Sequence, residues 1–213
     1  MDLRFSSLLL AVGLFLRSSA LAADECESLL KPLTLDDPSV LHGKMHFIMG
    51  YTDGDLFKAI LKTTTSSWVE ISQAPSDSSV LLMSQGNLMN GTCSGSDVTV
   101  TIQSGTARAQ MGDTISHFQS LQTCDGCLVF NINTTVRNLN RYLTQVNLGG
   151  IKEEESDNTR SLYLMANETT VQDSVLEHFK KQASCLGFTG EPDFHHKPEN
   201  RFCEKDEVQK VEA

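Results

Sequence analysis

Six cysteines, a pair of adjacent histidines and three Asn-x-Thr triplets are the residues of this chain whose types and spacing bear on chemistry. Cys124-Asp-Gly-Cys127 has the Cys-x-x-Cys spacing of a redox pair. Such a pair needs a thiol at a helix N-terminus, where its pKa falls. Here strand-like runs flank an Asp-Gly turn, so a structural disulfide across the turn is expected instead. His195-His196, close to Cys203, offers imidazoles to a metal. A zinc site draws ligands from two elements at fixed spacing, whereas neighbouring side chains of an extended segment point apart. No metal and no cofactor are expected. The chain carries no Gly-x-Ser-x-Gly elbow, no phosphate-binding loop and no paired-carboxylate context, so it is not expected to be an enzyme. The triplets beginning at Asn90, Asn133 and Asn167 are N-glycosylation acceptors, which must lie on the surface of a secreted chain to be used.

The leader sets that compartment. Arg4 precedes an apolar run from Leu8 to Leu16, followed by Ser18, Ser19 and Ala20-Leu21-Ala22. This is the pattern of a secretory signal peptide over residues 1–22, cut after Ala22 or Ala23. The run is too short to span a membrane, and no second one follows. A secreted, extracellular chain with an even number of cysteines is expected to form disulfides, although six cysteines allow 15 connectivities. The formal net charge is −10, and loss of Asp2, Arg4 and Arg17 with the leader makes it one unit more negative. An acidic chain repels phosphate backbones, which argues against nucleic acid as a partner. Residues 23–203 suit one domain, and residues 204–213, charged and without apolar pattern, are expected to be a disordered acidic tail.

The elements that must position these residues are mostly strands. His46–Tyr51, Thr63–Ile71, Val80–Asn87, Asp97–Gln103, Ala107–Met111, Ile115–Thr123, Cys127–Ile132 and Arg160–Ala166 read as extended segments. Turns at Pro75-Ser76-Asp77, Ser104-Gly105 and Asp125-Gly126 separate some of them. Val98, Val100 and Ile102 alternate with Thr99 and Thr101. Leu56–Ile60 leads into the Thr/Ser-rich stretch that carries Trp68. The region from Asn133 to Asp157 reads as a long loop with a helical turn. One strong helix follows, Thr170 to about Leu186. Val171, Val175, Leu176, Phe179, Ala183 and Leu186 share a face, Thr170 stands as N-cap and Gly187 as the stop. A single late helix must bury its stripe on a sheet. The expected fold is mostly β: an eight-stranded up-and-down antiparallel barrel with a C-terminal helix packed on its wall.

The residues also resemble the lipocalins, in particular the α-1-acid glycoprotein group and its fish members described as tributyltin-binding and saxitoxin/tetrodotoxin-binding. Gly43-Lys44-Met45-His46-Phe47 stands where lipocalins carry Gly-x-Trp at the opening of the first strand. Ser104-Gly105-Thr106 resembles their mid-barrel hairpin and His117-Phe118 the strand after it. The closest run is Leu162 to Cys203, through Glu168-Thr169-Thr170, Leu176-Glu177-His178-Phe179, Cys185-Leu186 and Cys203-Glu204. Met45 departs from the family tryptophan, Asn133–Asp157 is longer than in the family, and Cys124–Cys127 has no counterpart. The resemblance implies the pairs Cys26–Cys185 and Cys93–Cys203, which leaves Cys124–Cys127.

The resemblance further implies a non-covalent carrier or sequestering protein, secreted and glycosylated, with a small molecule in the barrel. No membrane partner is expected, and a monomer is. Alternation places Met45, Phe47 and Met49 on one face of the first strand and Gln85, Asn87 and Met89 on one face of another. Phe130 follows the Cys124–Cys127 turn. The resemblance adds Tyr163 and Met165, and Trp68 is expected to line the cavity and report binding. A hydrophobic or organotin-like ligand suits the Met/Phe lining; a guanidinium toxin would call on carboxylates at the mouth, for which Asp53, Asp55 and Glu70 are candidates. The alternatives are an acidic glycoprotein acting through its surface with a filled barrel, and a secreted thiol enzyme, which the commitment of all six cysteines disfavours.

Overall fold

The structure, a computed structural model, describes residues 24–210 apart from 36, 75–76, 78–79, 104 and 138–155. The leader, the Pro75-Ser76 and Ser104 parts of two expected turns, most of the expected 133–157 loop and the last three residues lie outside the described residues. Eight strands follow in order: β1 Gly43–Thr52, β2 Thr64–Gln73, β3 Val80–Met89, β4 Thr92–Gln103, β5 Thr106–Met111, β6 Thr114–Leu121, β7 Cys127–Arg137 and β8 Ser156–Ala166. Each pairs antiparallel with its sequence neighbour except β1, whose preceding partner is β8. The β8–β1 pairing therefore closes an up-and-down barrel, the expected fold class.

The period-2 pattern divides the strand residues into two cores. Met45, Phe47, Ile71, Leu81, Val98, Val100 and Phe130 belong to a cluster inside the barrel. Ile48, Met49, Tyr51, Val129, Leu162 and Leu164 belong to a second cluster on the outer wall, beneath the C-terminal helix. Residues 24–29 form α1, Asp55–Thr63 form α2, and Asp173–Cys185 form α3, which contributes Phe179 and Ala183 to that outer cluster. Gln182 on α3 is buried and donates from Nε2 to the Leu29 and Gln122 carbonyls at 2.9 and 3.0 Å, tying the helix to the N-terminal segment and the end of β6.

The helix begins later than the sequence suggests. Gln172, not Thr170, is the N-cap, and no side-chain cap bond forms there. Its end is as expected: Gly187 has φ +85, Gly187 N–H donates to the Ser184 carbonyl and Phe188 N–H to the Ala183 carbonyl, a Schellman ending. Nor is it the sole helix. Leu56 and Leu61 of α2 are buried, Asp55 sits in its first turn and Lys62 in its last. The short apolar–polar pattern of nine residues is masked in the sequence by the Thr/Ser run that continues as β2.

The expected disordered tail is also corrected. Residues 204–210 are ordered against the barrel: Lys205–Glu207 form a 3-10 turn closed by a capping box with Glu204, and Gln209–Lys210 (β10) pair parallel with Ser94–Gly95 of β4. Val208 packs against Cys93, Cys203 and Leu88, and Lys205 and Lys210 pair with Glu70 and Asp97. Charge alone suggested solvation, but the disulfide at Cys203 holds the segment where its lysines find carboxylates. Phe194–His195 (β9) pairs with β1 and sends Phe194 into the interior cluster, and residues 194–210 run as a strap from β1 past β2 to the β10–β4 pairing. Three disulfides are formed: Cys26–Cys185 joins α1 to the end of α3, Cys93–Cys203 joins β4 to the strap, and Cys124–Cys127 spans the turn before β7. Among the described residues no helix is long and apolar enough to cross a membrane.

Candidate functional site

The barrel interior holds a cavity of about 230 Å³. One end is plugged by the 3-10 turn Pro38–Leu41, whose buried Leu41 lines the cavity. The N-terminal segment supports that end through Leu33 N–H donating to the Ser120 carbonyl at 2.8 Å. At the other end lie the β3–β4 turn, the β5–β6 turn and α2, which follows β1 and supplies Phe57 to the lining.

The lining is graded along the barrel. β4, β6 and β8 run away from the α2 end, and β3, β5 and β7 run toward it. On β6, Thr114 and Ser116 precede Phe118; on β8, Ser161 precedes Tyr163 and Met165; on β7, Phe130 and Ile132 precede Thr134; on β3, Leu81 and Met83 precede Gln85. In each case the polar residue falls on the half nearer α2. The deep half is formed by Ile71, Leu81, Val100, Ala107, Phe118 and Met165, whereas the upper half sets a collar of hydroxyls and one amide among Phe57, Val69, Val98 and Met111, so every polar lining side chain but the Tyr163 phenol falls there.

The collar is hydrogen-bonded within itself. Ser116 Oγ and Thr134 Oγ1 lie 2.8 Å apart, Gln85 Nε2 donates to Ser96 Oγ at 2.8 Å, and Ser161 Oγ donates to Thr52 Oγ1 at 2.9 Å. Tyr163 bonds to Ser161, and burial pushes its phenol up to about 12, so it stays a neutral donor. None of the described lining residues carries a formal charge.

Of the candidates read from the sequence, Gln85, Phe130, Tyr163 and Met165 line this cavity. Phe47 lies in the interior cluster but outside the lining: it stacks on Phe194 at 4.3 Å and covers Gly50, where a Cβ would lie 2.4 Å from its ring. Met49 faces the other way. The β1–β8 register shifts between Phe47 and Met49, and this bulge at Ile48 reverses the alternation, placing Met49 under α3. Asn87 accepts a hydrogen bond from Ser67 Oγ at 2.7 Å, and neither it nor Met89, at the end of β3, reaches the cavity lining.

Trp68 is the largest correction. Its neighbours Val69 and Ile71 are separated by one residue and both line the cavity, so Trp68 points outward. It is 2 % exposed beneath the strap, donates from Nε1 to the Cys203 carbonyl at 2.8 Å, lies against Gly86 and has the Lys44 ammonium 4.8 Å from its ring centroid. None of the carboxylates proposed for the mouth is a lining residue: Asp53 binds the Arg160 side chain and backbone N–H, Glu70 pairs with Lys205, and Asp55 stands in the first turn of α2. His195 is exposed on β9 while His196 is buried against Phe202, and no metal-ligating cluster occurs among the described residues. Asn90, in the β3–β4 turn, Asn133, on β7, and Asn167, after β8, are all exposed.

Val69, Val98, Ala109, Met111 and the hydroxyl residues of β6 to β8 are lining residues that the sequence reading did not select. Their alternation was visible; which parity faced inward was not.

No protein-family model matches the chain and no curated protein sequence matches it. Solved structures do. Lipocalin 12 from rat epididymis is similar with a TM-score of 0.58 at 9% identity, over 84% of this chain and 95% of that one. A siderocalin described as having a dual ligand binding mode gives a TM-score of 0.56 at 15% identity, over 83% of this chain and 100% of that one. The siderocalin Ex-FABP, described as functioning through dual ligand specificities, gives 0.54 at 14% identity, over 74% and 94%. At these identities the shared property is the fold: the chain adopts the lipocalin fold, an eight-stranded calyx with one helix on its wall.

Proposed function

We propose that the protein is a secreted, glycosylated carrier that holds a small hydrophobic molecule non-covalently in its barrel. The observation that carries this reading is the plugged, largely apolar cavity of about 230 Å³ with an uncharged lining. Small-molecule sites combine such apolar walls with a few placed polar groups. Met83, Met111 and Met165 add soft, adaptable surface. The disulfides and the exposed Asn90, Asn133 and Asn167 fit an oxidising, glycosylating route of synthesis.

Between the two ligand types suggested by the resemblance to the toxin-binding members of the α-1-acid glycoprotein group, the lining favours the hydrophobic, organotin-like one. A guanidinium placed against it would lose hydration with no counter-charge among the described lining residues, a cost of several kcal/mol. Tributyltin, added to the intact protein, is expected to raise Tm with concentration as binding to the native state requires, and saxitoxin is not. Stabilisation by saxitoxin alone would reverse the preference. No shift with either or with an apolar panel would leave the filled-barrel, surface-acting reading.

A further inference from the structure

We infer that the calyx selects uncharged amphiphiles, taking an apolar body into its deep half and one hydrogen-bonding head into the collar of Gln85, Ser116, Thr134, Ser161 and Tyr163. This rests on the carrier reading and specifies its ligand class.

The argument follows from where the polarity sits. On four separate strands the polar lining residue falls on the half toward α2, and below it the walls are aliphatic, aromatic or methionine. A ligand polar at both ends would leave one end unpaired in the deep half. A wholly apolar one would cover the collar hydroxyls without replacing their access to water. Hydroxyls both donate and accept. Ser116 and Thr134 share one hydrogen bond, which leaves one of their two protons for a further acceptor and lone pairs for a further donor. An alcohol is therefore satisfied at the collar as donor or acceptor, and an ester or ketone as acceptor.

A charged head is not. The described lining contains no arginine, lysine or histidine to meet a carboxylate and no aspartate or glutamate to meet an ammonium. Two carboxylates at the α2 end lie outside the described lining and are engaged by the framework: Asp53 accepts from the Arg160 backbone N–H at 2.7 Å and Nε at 2.8 Å, and Asp193 accepts from the Thr52 N–H at 2.9 Å. Burying an ion against neutral hydroxyls carries an uncompensated desolvation cost. Tyr163 gives no compensating charge, because it remains a phenol.

The test compares one chain length with different heads. Decanol, methyl decanoate, decanoate and decyltrimethylammonium are titrated at neutral pH into the intact, disulfide-bonded protein by calorimetry. The expected result is that decanol and methyl decanoate bind at least about tenfold more tightly than either ion, a factor equivalent to about 1.4 kcal/mol. A second arm uses Thr134→Arg, which places a cation in the collar and is expected to raise decanoate affinity at least about tenfold over wild type. Ser116→Ala with Thr134→Val, which removes two collar hydroxyls while keeping the shape, is expected to reduce decanol affinity and to raise that of decane, which no longer covers those hydroxyls. Equal or tighter binding of either ion to wild type overturns the selectivity and leaves the carrier reading standing. Failure of all four compounds and decane to bind overturns the carrier reading itself.

Discussion

Tyr163 and Trp68 show how a side chain's role depends on one step of parity. Tyr163 faces the cavity with its phenol bonded to Ser161, whereas Trp68 is turned outward and bonded to the strap through the Cys203 carbonyl. Tryptophan emission therefore reports the strap and not the ligand site. Its maximum is expected to stay within the noise when the calyx is filled by an apolar compound, and to shift red in a Cys93→Ser/Cys203→Ser variant that frees the strap; fluorescence of both samples checks this. A large quench from ligand in the wild type, with no change in the variant, would contradict the placement. The alternation that puts Val98 and Val100 on one face and Thr99 and Thr101 on the other was legible in the sequence, because strand side chains alternate without exception in a regular stretch. The direction of that alternation was not legible on β1, because the bulge at Ile48 is a property of the β1–β8 register and has no local residue signature.

Among elements, α3 and the strap cover different parts of the wall by different means. Phe179 and Ala183 of α3 are fully buried against β1, β7 and β8, and this amphipathic stripe was the clearest signal in the sequence. Phe179→Ala is expected to cost about 3–5 kcal/mol, the usual range for emptying a buried aromatic site, measured by chemical denaturation. α2 was hidden because it has nine residues, a glycine N-cap and a β-branched continuation. The strap was hidden because its order comes from Cys93–Cys203 and from pairings with Glu70 and Asp97, all distant in sequence.

The strap also gives the molecule a pH response. Phe202 lies between His46 and His196, with ring centroids 4.6 Å from each. Burial holds both imidazoles below their ordinary value of 6.5, and for His196 the proximity of His46 and His195 adds to it. Lys44 opposes protonation of His46, while Glu168 faces His46 and Glu199 faces His196 with the opposite sign. A base held neutral in the folded state contributes stability that is full above 6.5 and is lost as pH falls through 6.5 toward the lower folded value. Tm is therefore expected to fall as pH drops below 6.5, and a His46→Gln/His196→Gln variant to have a flatter profile there. A second loss at lower pH is expected from Glu207 and Asp97. The Glu204 backbone N–H lowers the first and Lys210 the second, so each stabilises above the ordinary carboxylate range and ceases to as it protonates. An unchanged slope just below pH 6.5 in the double variant would exclude the histidines as its cause.

At the scale of the whole molecule, a barrel closed by β8–β1 pairing is tied at both chain ends by disulfides spanning 159 and 110 residues. Loop-closure estimates give about 5 kcal/mol for each crosslink of this length, which stabilises the wall without any contribution from a ligand. That leaves the interior free to be graded from aliphatic depth to hydroxyl collar. The barrel was legible from turn spacing and from the late helix; the grading emerged only when strand directions assigned each residue to an end. The central claim, that this interior holds a ligand, is tested most directly by calorimetric titration of decanol into the wild type and into Ala109→Phe, which fills the cavity from β5. The account predicts saturable binding to the wild type and at least about a tenfold loss in the variant with its fold, checked by circular dichroism, intact. Equal binding to both proteins, or none to the wild type, would contradict it.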